Sequence, residues 1–289
     1  MPEAQNKTLT YQNIIILSDL SDRIQPTING NIENQQYPPK DTNEIDKILK
    51  FFNNECVKPG EKIGDKSCIS FSTFSDDSIA CIDIDKIKDL GAKQQFINST
   101  GKYQNNGLKY EVDIFKKKVQ NAYANINKRK KGFDLITILI DKIKNKSIIK
   151  KNTILTNGID STFINYDNHI YIFTDGYLEY KGKKSNNQFY FGNPEIDKIR
   201  QYCQIKKVDI ATALKENSSL CLPKVTNDIN QFINLHILET HERDFNMKDG
   251  RPNNKVGLRD NEILEAVWKK WARESGFKLP VDWKKYGQL

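Results

Sequence analysis

Two segments more than 150 residues apart decide the fold: Ile14-Ile15-Ile16-Leu17-Ser18-Asp19-Leu20-Ser21-Asp22-Arg23 and Ile170-Tyr171-Ile172-Phe173-Thr174-Asp175-Gly176. Each opens on an apolar run of a length suited to a strand buried on both faces, and each ends abruptly in aspartate beside small hydroxyl residues. In an open α/β sheet, ligands sit beyond the carboxyl ends of the parallel strands, where loops bring together side chains distant in sequence. Asp19, Ser21 and Asp175 are therefore candidates for one site.

Outward from these two strands the periodicity alternates between strand and helix. After strand 13–18 comes a polar loop to about residue 40, with Pro26, Gly30, Pro38 and Pro39. Asp41 or Thr42 then reads as the N-cap of a helix carrying Ile45, Ile48, Leu49 and Phe52 at helical spacing. Residues 68–74 and 79–84 read as strands joined by the turn Ser75-Asp76-Asp77-Ser78, a hairpin pattern. Val112, Phe115, Val119, Ala122 and Ile126 stripe a second helix, and Phe133, Ile136, Leu139, Ile140 and Ile143 a third. A helix near 195–204 follows the Thr174-Asp175-Gly176 strand, and a long helix near 226–245, carrying His236 and His241, is expected to close the unit. The pattern predicts an α/β fold: a doubly wound, Rossmann-like, mostly parallel sheet flanked by helices, with one antiparallel edge hairpin and a helical C-terminal tail.

The main unit is expected to span 1–247 and the tail 248–289. In the tail a polar loop, Lys248 to Asn254, leads to a helix with Asp260 as N-cap and Ile263, Leu264, Val267, Trp268 and Trp271 on one side, ended by Ser275-Gly276. Two such aromatic anchors do not stay in water. Trp268 and Trp271 are expected to dock on the main unit or on a partner.

Composition excludes several classes. At 289 residues, with 37% hydrophobic and 28% charged residues, the chain is an ordinary polar globular protein. No apolar run approaches the roughly 18 residues of a membrane span. The first apolar stretch is four residues long and runs into Asp19, unlike an export signal, so a cytoplasmic location and no membrane contact are expected. Five cysteines without a C-x-x-C pair suit free thiols in a reducing compartment. The net charge of +8 is concentrated. Residues 116–151 hold twelve Lys or Arg against Asp134 and Asp141, an excess of ten, which leaves −2 for the remainder. That stretch, with Lys128-Arg129-Lys130-Lys131 at its centre, is a candidate nucleic-acid surface. The 38 Lys to 7 Arg, amid many Asn and Ile, also fit a plain AT-rich coding bias, which makes any nucleic-acid binding weak.

The order strand-Asp-x-Ser, helix, strand hairpin, Gly-x-Asp-Leu opening a helix, then strand-Thr-Asp-Gly resembles the von Willebrand factor A family, over about residues 10–245. The resemblance implies a doubly wound sheet and a metal-ion-dependent adhesion site. There, Asp-x-Ser-x-Ser, a threonine from a second loop and the aspartate of Thr-Asp-Gly surround Mg²⁺ or Mn²⁺, and a partner's carboxylate takes the open position. Hard cations of this kind take oxygen ligands. Asp19 and Ser21 match the first two positions and Asp175 the last. The second serine falls at Arg23, with Asp22 beside it as an oxygen donor. The family threonine falls near Phe133, where Asp134 is the nearest oxygen and Thr137 lies one turn further in. The resemblance thus implies a Mg²⁺ or Mn²⁺ held by Asp19, Ser21, Asp134 and Asp175, or a metal-free site in which Arg23 pairs with the aspartates.

These readings lead to a bacterial, non-enzymatic interaction module that captures another protein. The resemblance implies adaptor roles in multiprotein assemblies, some containing an ATPase. Two alternatives remain. One is a Mg²⁺-dependent phosphodiester hydrolase using Asp19, Asp22, Asp134 and Asp175 with the basic stretch, although no Lys, His or Glu is tied to them as general base. The other is a metal-free scaffold. Each motif alone is an ordinary cap or turn sequence.

Overall fold

The axis of the molecule is β1 (Asn6–Ser18), whose apolar run is buried on both faces because successive side chains point opposite ways. The computed structural model of the protein describes residues 6–20, 37–57, 66–125, 134–156, 159–179, 188–240 and 257–285. Ile14 and Ile16 join one apolar layer with Ile45, Leu49, Phe115 and Val119; Ile15 and Leu17 join a second with Leu139, Ile199 and Leu264. Parallel to β1 lie β2 (Cys68–Thr73) on one side and β5 (Ser161–Phe173) on the other, the latter in register along 13 residues.

Beyond β2, the edge strand β3 (Ala80–Asp83) runs antiparallel, completing the expected hairpin. Beyond β5 come β6 (Ile233–Thr240) and β7 (Asp282–Lys285), both parallel. The sheet order is β3-β2-β1-β5-β6-β7. A further strand, β4 (Thr153–Thr156), runs antiparallel to the first half of β5. Helices α1 (Tyr37–Phe51), α2 (Leu90–Asn98) and α3 (Leu108–Ala124) supply the first layer, while α4 (Leu135–Lys144), α5 (Asn193–Lys206), α6 (Ile210–Glu216) and α7 (Asp260–Glu274) supply the second. The fold is therefore α/β with a mostly parallel sheet between two helical layers.

Several elements differ from the sequence expectation. The helix expected near 226–245 is a short 3-10 turn, Asn230–Phe232, followed by strand β6. The reason is period two: Ile233, Leu235 and Ile237 are buried on one face, while Asn234 and His236 are half-buried on the other. His236 is thus a sheet residue, and His241 lies outside the described residues. α1 opens at Tyr37 instead of Asp41 or Thr42, with Pro38 and Pro39 in its first turn, where a missing N–H has no intrahelical partner to lose. Asp41 lies inside the helix, fully buried, and accepts a hydrogen bond from the Tyr123 hydroxyl at 2.9 Å. β4 had no sequence signature, since all four of its residues are exposed and no buried face imposes alternation.

The C-terminal segment is more than a helical tail, because β7 extends the sheet beside β6. Helix α7 starts one residue earlier than expected, at Asp260, with Arg259 at the cap, its N–H donating to Glu262 Oε2 at 2.8 Å. Trp268 and Trp271 are each 1% exposed and meet edge to face, ring centroids 5.7 Å apart. At about 25 cal/mol per Å² and 150–250 Å² each, their burial favours docking by roughly 7–12 kcal/mol before ordering entropy. Deleting residues 257–289 uncovers Ile199, Ile237 and the flank of β6. The shortened chain is expected to lose cooperative thermal unfolding by circular dichroism and to aggregate. A truncated protein that melts as sharply and as high as the full chain contradicts this packing.

Candidate functional site

The six continuous strands follow the common doubly wound order, in which the chain winds away from the first strand in both directions, and ligands bind at the carboxyl ends where that direction reverses. Here the reversal lies between β1 and β5. Their ends carry Asp19 and Thr174-Asp175-Gly176, so the topology brings the two sequence motifs together. Asp19 N–H donates to Phe173 O at 2.8 Å, extending the ladder by one residue. The Thr174 hydroxyl donates to Asp19 Oδ2 at 3.2 Å, and Thr174 N–H reaches Leu238 O on β6 at 3.2 Å. Asp175 Oδ1 accepts from Tyr177 N–H at 3.1 Å, closing the turn, while Gly176 N–H donates to Thr174 Oγ1 at 3.2 Å. Asp19, Thr174 and Asp175 are 3%, 0% and 1% exposed. Two carboxylates are thus buried at neighbouring strand ends, a costly arrangement in low dielectric unless positive charge or donors face them.

The C-terminal segment holds this turn in place. Trp268 Nε1 donates to Gly176 O at 2.8 Å. Gly176 has φ +92, and a Cβ there would stand 2.8 Å from the Trp283 ring. Trp283 Nε1 donates in turn to Asn261 Oδ1 at 2.9 Å, and Asn261 Nδ2 to Thr240 Oγ1 at 3.1 Å. The Tyr177 hydroxyl, one residue past the turn, donates to Asp260 Oδ2 at 2.8 Å, and Asp260 pairs with Arg200 inside the protein. Neither Trp283 nor Asp260 had been assigned to the site from sequence. Contact across 107 residues of chain leaves no local signature.

The other expected site residues divide into three groups. Ser21, Asp22, Arg23 and Lys128-Arg129-Lys130-Lys131 lie outside the described residues. Asp134 caps α4: its Oδ1 accepts from Thr137 N–H at 3.1 Å and its Oδ2 from the Thr137 hydroxyl at 2.8 Å, so these two residues serve each other. Part of the basic stretch is neutralised within the protein. Lys116 pairs with Asp46 at 2.6 Å, Lys146 with Asp77 at 3.0 Å and Lys150 with Asp83 at 3.1 Å. Lys142, 4% exposed, donates to Asp76 O at 3.2 Å, and burial pushes its ammonium pKa down. A residue missed from sequence is Glu239, 1% exposed at the carboxyl end of β6 with φ +62. Reading Ile233, Leu235 and Ile237 as a strand would have placed it next to the site.

A second polar cluster crosses the sheet away from this site. His169 Nε2 lies 3.2 Å from Asp167 Oδ2, its Nδ1 lies 2.9 Å from His236 Nε2, and His236 Nδ1 lies 2.7 Å from Asp282 Oδ2. Tyr171 stacks on His236, centroids 4.3 Å apart. The chain ties β7 to β6 and β5. Burial, together with the nearby His169, lowers the His236 pKa from 6.5, against the opposing pull of Asp282.

As oxygen donors, Asp19, Thr174 and Asp175 suit a hard cation such as Mg²⁺ in kind. Among the described residues no group of three or more His, Cys, Asp or Glu is arranged to hold a metal ion. Comparison with protein-family models and with curated proteins finds no match for this chain. Among the described residues no helix is long and apolar enough to cross a membrane.

Two outcomes are expected. Gly176→Ala forces a side chain into left-handed backbone and onto Trp283, and should cost roughly 1–3 kcal/mol of stability by urea denaturation; an unchanged midpoint contradicts the clamp. For His236 the folded pKa lies below the unfolded 6.5, so its contribution is present above pH 6.5 and is lost as pH falls below it. Stability measured between pH 7.5 and about 5.5 should therefore fall less steeply in His236→Asn than in the parent. Equal slopes contradict a neutral His236.

Proposed function

We propose that the protein is a binding module that captures a partner at the strand ends around Asp19 and Asp175, with Mg²⁺ or Mn²⁺ bridging to a partner's Asp or Glu. The observation that carries this reading is the burial of both carboxylates at the ends of the paired strands β1 and β5, where the Thr174 hydroxyl donates to Asp19 and Tyr177 N–H to Asp175. Neighbouring buried carboxylates create a negative potential that a divalent cation offsets. In this reading Asp19, Asp175 and Ser21 hold the ion, and Thr174 orients Asp19. Asp134 and Thr137 are assigned to capping α4, because their polar groups meet one another. The resemblance to the von Willebrand factor A family supports the same role through Asp19, Ser21 and Asp175. The hydrolase reading gains nothing from Lys116, Lys142, Lys146 and Lys150, whose charges meet Asp46, Asp77 and Asp83.

The test is linkage between metal and stability. A ligand present at 100 times its Kd stabilises the folded state by about 2.7 kcal/mol. Millimolar Mg²⁺ or Mn²⁺ should therefore raise the melting temperature of the wild type by several degrees, and that of Asp175→Asn by none. Ca²⁺ serves as a control for general screening. A melting temperature unmoved by either Mg²⁺ or Mn²⁺ in the wild type rules out the metal-bridged mechanism and leaves Arg23 as the group that meets the aspartates.

A further inference from the structure

The β2–β3 hairpin, at the opposite edge of the sheet from β7, carries two of the five cysteines. Its register pairs Cys68 with Asp83 and Ser70 with Cys81. Cys68 and Cys81 therefore stand diagonally, two positions apart on the same face of an antiparallel pair, where side chains touch. That diagonal placement puts each thiol within reach of the other. Their accessibility differs: Cys68 is 8% exposed, whereas Cys81 is exposed on the four-residue edge strand. Cations line the same patch. Lys150 Nζ, from the segment between α4 and β4, sits 3.1 Å from Asp83 Oδ1 and 3.2 Å from Lys66 O, beside the residue that faces Cys68. Lys86 ends the short 3-10 turn, Ile84–Lys86, that follows β3.

We propose that Cys81 and Cys68 form a reactive dithiol, in which Cys81 is the nucleophile toward hydroperoxides and Cys68 the resolving thiol that closes a reversible cross-strand disulfide. The donated S–H of Cys68 and the ammonium groups of Lys86 and Lys150 favour the Cys81 thiolate, and its pKa is lowered to about 7. The Cys68 thiol is pushed up by that same bond and by burial, which keeps it protonated as a donor. The thiolate, not the thiol, attacks. Cys81–S⁻ displaces hydroxide from the peroxide O–O bond to give the sulfenic acid, the sulfur losing two electrons to the peroxide. Cys68 sulfur then attacks the Cys81 sulfur, the S–O bond breaks, and the Cys68 proton leaves with the hydroxyl as water.

Geometry also sets the character of the bond. Diagonal partners stand roughly 7–8 Å apart at Cα, and a disulfide requires about 4.4–6.8 Å. Closure must draw β3 toward β2. Only the short edge strand has to move, and the resulting strain makes the bond easy to reduce. Cys203 and Cys221 lack these features, since burial pushes both thiols up.

The experiment uses the full chain, reduced and then treated with hydrogen peroxide, followed by alkylation and peptide mapping. The expected product is an intramolecular Cys68–Cys81 linkage, lighter by two hydrogen atoms and restored by dithiothreitol. Iodoacetamide at pH 7 should alkylate Cys81 at least about tenfold faster than Cys203 or Cys221. In Cys68→Ser the reaction should stop at the Cys81 sulfenic acid, trapped by a cyclic 1,3-diketone; in Cys81→Ser no such adduct should form at residue 68. Linkages to other cysteines, dimers only, or alkylation of Cys81 no faster than Cys203 or Cys221 would each overturn the proposal. None of these readouts depends on metal or on the aspartate site.

Discussion

The parallel pairing of β1 with β5 is the constraint on which the rest of the molecule depends. These strands are far apart in sequence, yet they run in register over 13 residues and are apolar on both faces through their second halves. Such strands can exist only at the centre of a sheet with helices on each side. That requirement sends α1 to α3 to one layer and α4 to α7 to the other. The same pairing makes the point where the winding direction reverses coincide with Asp19 and Asp175. Apolar packing thus brings both carboxylates to the same end of two paired strands, and Thr174 and Tyr177 supply donors to them.

The site turn depends on the far end of the chain. Gly176 offers its carbonyl to Trp268 and its bare Cα to Trp283, and no other residue type fits that position without strain. The hydrophobic gain from burying Trp268 and Trp271 therefore does two things: it completes the second helical layer, and it fixes the backbone that presents Asp175. The chain Asp167–His169–His236–Asp282 secures β7 from the other face of the sheet. Changes in the last thirty residues should thus reach the site through backbone geometry.

How much of this was legible in the sequence follows from how local each signal is. The strands ending at Asp19 and Asp175, the hairpin of Cys68 and Cys81, and α3, α4 and α5 were readable, because a buried face imposes a period on consecutive residues. β6 departs from the helix expected near 226–245 because Ile233, Leu235 and Ile237 alternate with Asn234 and His236, whose face of the strand is only half-buried. β4 lies exposed, and its place is set by β5 alone. At the site, Asp19 and Asp175 were found through their strands. Glu239 was missed with β6, and Trp283 because its contact with Gly176 spans the chain. Asp134, a candidate ligand from sequence, caps α4 in the structure, its oxygens accepting from Thr137. Helix capping and metal ligation use the same residue types, so the sequence alone does not separate the two roles.

The most direct test of the central claim is an anomalous difference map from crystals grown with Mn²⁺. The expected result is one strong peak at the ends of β1 and β5, bonded to carboxylate oxygens of both Asp19 and Asp175. A map without that peak, with the Arg23 guanidinium lying between the two carboxylates, would contradict it.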